Sequence, residues 1–537
     1  MKTRSTPFLA VVLPLLLACA AEPSDPFLVQ TDAGPVQGFA PEGSDDIAAF
    51  LGIPFAQAPE GHMRWRPPVA VEPWTEPLQA SDYGSICPQS RAQLPQSEDC
   101  LYLNVWTPTE RAGDETLPVM VWIHGGGFRA GNGRLGEAPA TGRGAGLASR
   151  GVVVVSIQYR LGALGFFAHP ALAKVAVIPG ESEGDHGVLD MIAALDWVQR
   201  NAAAFGGDPD RVTIFGVSAG GMAVNTLMST PAAAGLFHRA IAQSGYGTWR
   251  LPHLSEARWG LPSALEQGAA LIADAFDLGD EPSAADLRAL PYEELINLGT
   301  GFWVPITGTV LPDEPGIVFA RGEQHDVPYI TGGNSFEGTI FRAFAMTPGD
   351  YLAIFGEREG QARSLYGADG ETEADAERIA AATLFGDQRY VISARYLAEQ
   401  MKTVSSPART YYFQFVPEAQ RGTFPGAPHG SEVSYVFGDP GDPESERYPG
   451  ADGATLGDVM AGYWTRFAAT GDPNGDGAPE WPEYDADNDT WMVLDAPEPK
   501  ATPGVLKDRL DLLEAVYLER VQPSSPSPAS PSESSAR

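Results

Sequence analysis

Apolar runs with the composition of buried strands recur along the chain, and several of them end in polar or glycine-rich segments. Runs rich in β-branched and aromatic residues predict strands at 119–123, 212–215, 327–331 and 410–416. The segment from Met222 to Met228 has helical character instead. Strands alternating with helices through 119–245 predict an α/β protein with a mostly parallel central sheet.

Two further regions show helical periodicity. Region 255–300 is acidic and contains the amphipathic run Ala264 to Phe276, and with 340–405 it is expected to form a helical cap over a pocket. A final packed helix is predicted over 505–521. Its apolar positions at helical spacing are Leu506, Leu510, Leu513 and Tyr517.

The strand at 212–215 runs directly into Gly216-Val217-Ser218-Ala219-Gly220, a G-x-S-x-G motif. A strand, this motif and a helix together are typical of a nucleophile elbow, a strained turn that holds a serine Oγ above the sheet edge. The flanking glycines are expected to leave room for the turn. Ser218 is therefore the predicted nucleophile.

A second motif, His124-Gly125-Gly126-Gly127-Phe128, follows the strand at 119–123. Glycines at a strand end let backbone N–H groups point into a cavity, where they can stabilise the oxyanion of a tetrahedral intermediate. The predicted donors are the N–H groups of Gly126, Gly127 and Ala219. A glycine-rich turn without function is the alternative, and the presence of both motifs in the expected order disfavours it.

In this class of hydrolase the catalytic residues follow the chain order serine, acid, histidine. His238 and His253 lie too soon after Ser218 to leave room for a strand that carries the acid. His325 lies in a charged turn, which is typical of a solvated residue. His429 lies in a loop after the β-rich run 410–416, and it is the predicted base.

The acid must lie between the nucleophile and the base. Glu337 follows the strand at 327–331 closely, at the carboxyl end where α/β sheets place their ligands. Position alone leaves open the alternative that Glu337 is a solvated loop carboxylate.

These motifs resemble those of the type-B carboxylesterases, the α/β-hydrolase family that includes the cholinesterases and many bacterial esterases. The similarity covers nearly the whole mature chain. The other segments that resemble those of the family are 98–106, 158–162, 201–208, 334–338 and 429–432. The resemblance implies an α/β-hydrolase fold, serine ester hydrolysis without metal or organic cofactor, and a triad of Ser218, Glu337 and His429.

The resemblance also implies two buried ion pairs with structural roles, Arg64 with Glu98 and Arg160 with Asp190. One departure from the family is Val217, which stands where a glutamate that helps to tune the imidazole is usual. This substitution leaves the triad intact but changes the expected pH profile.

A second departure is the short loop from Cys87 to Cys100, which lacks the tryptophan that binds quaternary ammonium groups in cholinesterases. A cholinesterase is therefore disfavoured. The expected substrate is a small or medium ester, mostly uncharged, with apolar groups. Trp249 and Phe128 are candidates for the pocket wall, although a core position suits Trp249 equally well.

Two other functions fit the same motifs. An amidase, lactonase or lipase would use the same triad, because specificity depends on the pocket walls. A non-catalytic binding module is the other alternative, but such modules usually lack members of the triad.

Composition narrows the range of partners. The chain of 537 residues has a net charge of −34, which opposes binding to nucleic acid and to anionic surfaces. It also predicts weak affinity for strongly anionic substrates, unless local charge in the pocket overrides it. The spread of acidic residues is typical of a solvated acidic surface.

The N-terminus has the pattern of an export signal. A basic start precedes the apolar run 8–17, which is too short for a permanent membrane span. Residues 16–19 resemble a bacterial lipobox, so a signal peptide over 1–18 and lipidation of Cys19 are predicted, with delivery to the outer membrane or cell surface. Ordinary cleavage after Ala20, giving a periplasmic or secreted protein, is the alternative.

Beyond the anchor, 19–26 is predicted to be a linker, 27–521 one catalytic domain and 522–537 a disordered Ser- and Pro-rich tail. If Cys19 is lipidated, Cys87 and Cys100 remain and are expected to pair in an oxidising compartment. Such a bond would stabilise the fold by about 3 kcal/mol in the chain-entropy description.

One segment resembles a calcium-binding loop. The sequence Asp472-Pro473-Asn474-Gly475-Asp476-Gly477, followed by Glu483, fits the spacing of the ligands. Pro479 and Pro482 fall inside the pattern, however, and no helix follows. A surface turn without metal is therefore favoured.

Overall fold

A large mixed sheet forms the centre of this computed structural model. The structure describes residues 25–110, 115–135, 143–176, 183–279, 281–299, 302–344, 346–368, 374–438, 451–475 and 477–521. The predicted signal peptide 1–18, the lipidation site Cys19, most of the linker 19–26 and the tail 522–537 lie outside the described residues.

The strands belong to one small and one large sheet. They are β1 (Leu28–Gln30), β2 (Pro35–Gln37), β3 (Ile47–Pro54), β4 (Leu78–Gln79), β5 (Tyr102–Pro108), β6 (Leu117–Ile123), β7 (Val153–Ile157), β8 (Gly207–Val217), β9 (Arg239–Gln243), β10 (Tyr329–Asn334), β11 (Ala408–Phe413), β12 (Thr490–Leu494) and β13 (Lys500–Pro503). β1, β2 and β4 form the small sheet.

The large sheet has the strand order β13-β12-β11-β10-β9-β8-β6-β7-β5-β3. From β12 through to β7 each strand runs parallel to its neighbour. The pairings at the edges, β12 with β13, β7 with β5 and β5 with β3, are antiparallel. The predicted mostly parallel sheet is therefore confirmed.

Helices pack against this sheet and extend beyond its carboxyl-terminal edge. They are α1 (Arg143–Ala148), α2 (Gly162–Gly165), α3 (Pro170–Ala173), α4 (His186–Asn201), α5 (Ala219–Met228), α6 (Ala264–Ala275), α7 (Ala284–Arg288), α8 (Tyr292–Leu295), α9 (Pro315–Ala320), α10 (Pro348–Ala353), α11 (Glu359–Tyr366), α12 (Ala374–Gly386), α13 (Ile392–Gln400), α14 (Val433–Val436), α15 (Ala451–Thr470) and α16 (Lys507–Val521). None of the helices in the described ranges is long and apolar enough to cross a membrane.

Both faces of the sheet are buried, which explains why its central strands read as continuous apolar runs. In β6, Val119, Val121 and Ile123 belong to one apolar cluster, and Met120 and Trp122 belong to another on the opposite face. β6 thus contributes alternate side chains to two separate cores.

Most elements predicted from the sequence are present, but several of their predicted ends are wrong. β8 extends from Gly207 to Val217, well beyond the predicted 212–215, and α5 begins at Ala219, three residues before the predicted start. α16 begins at Lys507 because Leu506 has a φ of 55°, which is outside the helical range. Leu506 therefore precedes the helix that its spacing assigned it to.

The predicted disulfide and both predicted ion pairs are present. Cys87 and Cys100 are bonded at 2.04 Å and completely buried. The Arg160 guanidinium donates to both carboxylate oxygens of Asp190, at 2.8 and 2.6 Å. Arg64 forms the same bidentate pair with Glu98, and its guanidinium also donates to backbone carbonyls near α8.

Candidate active site

The segments predicted to carry the nucleophile, the acid, the base and the oxyanion donors all lie at one edge of the large sheet. β6, β8, β10 and β11 run parallel, so their carboxyl ends meet at this edge. The glycine-rich loop follows β6 and Ser218 follows β8. Glu337 follows β10, and the loop with His429 follows β11. The topology therefore brings together residues that are far apart in sequence.

Ser218 occupies a sharp turn between β8 and α5. Its φ of 59° and ψ of −118° lie in a region that non-glycine residues rarely adopt, as expected of a nucleophile elbow. Its N–H donates to the Gln243 carbonyl at 2.8 Å, which fixes the turn. At Gly220 an added Cβ would lie 2.0 Å from the Ile123 carbonyl oxygen. This glycine is thus required for close approach of α5 to β6.

The glycine-rich loop leaves its N–H groups accessible to a ligand. Gly126 and Gly127 have φ values of 114° and 65°, and neither N–H donates to a carbonyl within the described chain. Both residues line the same cavity as Ser218. Ala219 is the first residue of α5, where an N–H has no partner inside the helix.

His124 braces this loop. Its ring lies 4.3 Å from the Tyr159 ring in a stacked arrangement, and Tyr159 donates its hydroxyl to the His124 carbonyl at 2.7 Å. Because a carbonyl can only accept, Nδ1 of His124 is the nitrogen that donates to the Gly125 oxygen. Burial lowers the pKa of His124 to about 4, so the ring is neutral at pH 7.

His429 and Glu337 form a close hydrogen-bonded pair between Nδ1 and Oε2. The other Glu337 oxygen accepts from the Asn334 N–H and from the Ser244 hydroxyl, both at 2.6 Å. The Glu337 side chain is entirely buried. The carboxylate is thereby held in one orientation, with Oε2 left for the imidazole.

Nε2 of His429 is the free end of this pair. It is buried and makes no hydrogen bond with any residue that the structure describes. His429 and Ser218 line the same cavity, and the Tyr390 ring lies 4.6 Å from the imidazole ring. With Nδ1 committed to a carboxylate, Nε2 is the nitrogen available to accept a proton.

A second buried carboxylate, Glu432, lies behind this pair. It accepts from Asn334 Nδ2 at 2.6 Å and from Gln243 Nε2 at 3.2 Å. Burial raises the pKa of Glu432, and the nearby Glu337 raises it further, while the bond from Asn334 opposes this rise. Glu432 and Asn334 lie within segments that the resemblance marked, but sequence reasoning assigned neither of them a role.

The cavity in front of Ser218 has a volume of about 830 Å³. Apolar and aromatic side chains form much of its wall, among them Trp122, Val217, Trp303 and Ile340. Region 340–405 also contributes Arg389 and Tyr390, from a π-helical turn between α12 and α13. Region 340–405 therefore covers part of the pocket as expected, whereas no described residue of region 255–300 lines this cavity.

Neither predicted wall residue lines this cavity. Trp249 borders a neighbouring cavity of about 230 Å³ and packs against the Arg389 guanidinium, 4.6 Å from its ring. The Phe128 side chain is fully buried and lies 4.9 Å from the Phe166 ring. Phe128 has a positive φ of 58° and is not among the residues that line the Ser218 cavity.

Two alternatives that the sequence disfavoured can be compared with the structure: His325 as the base, and the calcium-like loop. Nε2 of His325 contacts the Thr230 carbonyl at 2.9 Å, and His325 does not line the Ser218 cavity. In the calcium-like loop, Asp472 and Glu483 both face Arg409, at 3.1 and 3.6 Å. An arginine between these carboxylates is the arrangement expected of a surface turn.

Comparisons with known proteins match this chain to esterases. A fumonisin B1 esterase from Sphingopyxis macrogoltabida is 37% identical over 485 residues, covering 87% of this chain and 86% of that protein. A liver carboxylesterase from Sus scrofa is 33% identical over 543 residues, covering 88% and 92%.

The solved structure of a PNB esterase has a TM-score of 0.75 at 30% identity, covering 91% of this chain and all of that one. The fold is therefore the α/β-hydrolase fold. A model of the carboxylesterase family matches residues 25–512. This match and these relatives together show that the chain belongs to the carboxylesterase family, whose members hydrolyse carboxylic esters.

Proposed function

We propose that this carboxylesterase works through an acyl-enzyme formed on Ser218, with His429 as general base and Glu337 as its orienting carboxylate. The observation that carries the proposal is the pair of His429 Nδ1 with the doubly anchored Glu337 carboxylate. This pair leaves Nε2 as the basic nitrogen in the cavity that Ser218 lines.

In the first half-reaction, His429 Nε2 takes the proton as Ser218 Oγ bonds to the ester carbonyl carbon. The N–H groups of Gly126, Gly127 and Ala219 stabilise the resulting oxyanion, a contribution worth roughly 3–4 kcal/mol for each donor in related systems. The imidazolium then protonates the leaving alcohol as the C–O bond breaks. Glu337 stays ionised and stabilises the imidazolium.

In the second half-reaction, water replaces the alcohol. His429 removes a proton from this water, the hydroxyl attacks the acyl carbon, and Ser218 Oγ leaves with the proton that His429 returns. The volume and apolar walls of the cavity favour esters with small or medium apolar parts.

We also propose that the protein is exported. The buried Cys87–Cys100 disulfide supports this, because such bonds persist in oxidising compartments. The lipid anchor at Cys19 rests on the sequence pattern alone. Metabolic labelling with palmitate of the full chain and of Cys19→Ala tests it, since only the wild type should take up label.

Hydrolysis of p-nitrophenyl esters from acetate to long acyl chains, by the wild type and Ser218→Ala, tests the catalytic proposal. We expect an optimum at short or medium chain length and a loss of several orders of magnitude in the variant, with unchanged circular dichroism. Retained activity in Ser218→Ala would overturn the assignment. Matched anilide, lactone and triglyceride probes identify an amidase, lactonase or lipase instead.

A further inference from the structure

The cavity in front of Ser218 has the opposite charge from the protein as a whole. The chain carries a net charge of −34. Yet the described lining residues include Arg129, Arg134 and Arg389 and contain no aspartate or glutamate. The protein has about twice as many acidic as basic residues. A lining with three arginines and no carboxylate therefore suggests that the cavity binds a ligand of complementary charge.

Arg129 lies beside the reaction centre. Its Nε is 4.0 Å from the position that a Cβ on Gly127 would occupy, next to the predicted oxyanion loop. The side chain is half-buried, and within the described ranges its guanidinium makes no ion pair. A cation at the wall of a largely apolar cavity attracts an anionic group on whatever ligand enters.

Arg389 supplies a second cation in the same wall. It is only 2% exposed, and its guanidinium lies 4.1 Å from the Tyr246 ring and 4.9 Å from the Trp303 ring. Burial raises the pKa of Tyr246, and both Arg389 and Arg129 oppose this rise, so both guanidinium groups lie within electrostatic range of this cavity residue.

Arg134 adds a third positive charge to the lining. Its guanidinium donates to the Gly84 carbonyl at 2.9 Å and lies 5.3 Å from the Tyr83 ring, which holds it against the loop before β5. Val217, the neighbour of the nucleophile, contributes an uncharged side chain to the same cavity. Among the described residues that line the cavity, the arginines are thus the permanently charged side chains, while the carboxylate of Glu337 lies behind His429.

We propose that the ester substrate carries a carboxylate, which binds Arg129 and Arg389 while Ser218 attacks the ester carbonyl. This inference rests on the proposed function and deepens it. It replaces the sequence-based expectation of a mostly uncharged ester: apolar walls hold the neutral part, and the arginines hold the anionic part. Planar carboxylates match the donor fork of a guanidinium.

Two pairs of probes test the proposal. Ethyl hydrogen adipate and ethyl hexanoate both release ethanol and differ by a carboxylate at the end of the acyl chain. The butyrate esters of 4-hydroxybutanoate and of butanol place that difference on the alcohol side. For the wild type at low ionic strength, we expect kcat/KM to be at least tenfold higher for the charged member of one pair.

In Arg129→Gln the ratio of kcat/KM, charged over neutral, should fall about tenfold, mainly through KM, because ground-state binding is lost. Arg129→Lys should retain part of the preference. Arg200→Gln is the matched control: it removes an arginine that pairs with Asp32 and Asp196 on the surface, and the wild-type ratio should persist. Circular dichroism checks that each variant is folded.

A wild type that prefers the neutral member of both pairs would overturn the proposal. So would an unchanged ratio in Arg129→Gln. Failure of the proposed function looks different, because ethyl hexanoate and butyl butyrate would then be cleaved equally by the wild type and Ser218→Ala, or not at all. Ser218-dependent cleavage of neutral esters without a charge preference would refute only the anionic substrate.

Discussion

At the scale of single residues, the geometry of the site depends on which polar atoms already have hydrogen-bond partners. One oxygen of Glu337 accepts two hydrogen bonds, so only Oε2 is left for the imidazole of His429. That bond fixes the tautomer and leaves Nε2 in the cavity without a partner among the described residues. The Ser218 turn is fixed by its bond to the Gln243 carbonyl.

Glu337→Gln should lower kcat about 10³- to 10⁴-fold, because an amide cannot hold the imidazole in the productive tautomer. Steady-state kinetics on a p-nitrophenyl ester provides the measurement. Ser244→Ala is the graded comparison: it removes one of the bonds to Oε1 but keeps the carboxylate, so a much smaller loss is expected. A larger loss in His325→Ala than in His429→Ala would contradict the assignment of the base.

Residues could be predicted from the sequence where they lie in a recognisable motif or follow a fixed order along the chain. Ser218 has its motif, and His429 and Glu337 follow from order and from the ends of strands. Ser244 and Glu432 could not be predicted in this way, because each acts through a neighbour that only the folded chain supplies. Phe128 packs beside Phe166 in the core instead of lining the cavity, a contact that only the folded chain supplies.

At the scale of elements, the parallel strands carry the site and a buried ion pair ties the flanking chain to it. Arg160 follows β7 and Asp190 lies on α4, and both side chains are at most 3% exposed. Their contact fixes α4 against the segment that leads into α2. Arg160 also donates to the Arg66 carbonyl at 2.8 Å, which links a third segment.

Asp190→Asn should destabilise the fold by about 3–5 kcal/mol, because it leaves the Arg160 charge buried without a counter-ion. Urea unfolding followed by circular dichroism gives the difference in free energy. Asp208→Asn weakens the partly exposed pair with Arg211, whose side chains are 23% and 31% exposed, and should cost less than about 1 kcal/mol. Equal losses in the two variants would show that burial does not set the strength of these pairs.

Element ends were harder to predict than element cores. Apolar periodicity located β8 and α5, but the first turn of α5 is Ala219-Gly220-Gly221, which has no helical signal of its own. Its glycines fit because β6 approaches closely, as the 2.0 Å distance at Gly220 shows. Tertiary packing therefore decides where this helix begins.

At the scale of the whole molecule, charge is distributed unevenly between surface and interior. The acidic surface was evident from composition, whereas the arginine-lined cavity was not, because its members lie far apart in sequence. The fold class could be predicted from the alternation of strands and helices. The contribution of the cap to the cavity required the folded structure.

Buried acidic groups also make stability depend on pH. Burial, assisted by Glu183, raises the pKa of Asp185 from 3.8 to about 7, against the opposing effects of Thr307 and Arg160. Between about pH 4 and 7 the folded state holds a proton that the unfolded chain has released. This carboxyl therefore lowers the free energy of unfolding as pH rises through that window.

Asp185→Asn should consequently stabilise the protein at pH 8, by up to about 4 kcal/mol if the full shift of about three pKa units is recovered. At pH 4 only a small part of this difference should remain, because Asp185 is then protonated in the folded state and about half protonated in the unfolded chain. Urea unfolding of both proteins at the two pH values tests this. A gain that is equal at pH 4 and pH 8 would contradict the role of ionisation.

The central claim is that Ser218 is the nucleophile of the carboxylesterase reaction. Its most direct test is treatment of the wild type and Ser218→Ala with diethyl p-nitrophenyl phosphate, followed by peptide mass spectrometry. We expect one diethylphosphoryl group on Ser218, with loss of esterase activity in proportion to labelling and no label in the variant. Labelling of another residue that tracks the loss of activity, or equal labelling of both proteins, would contradict it.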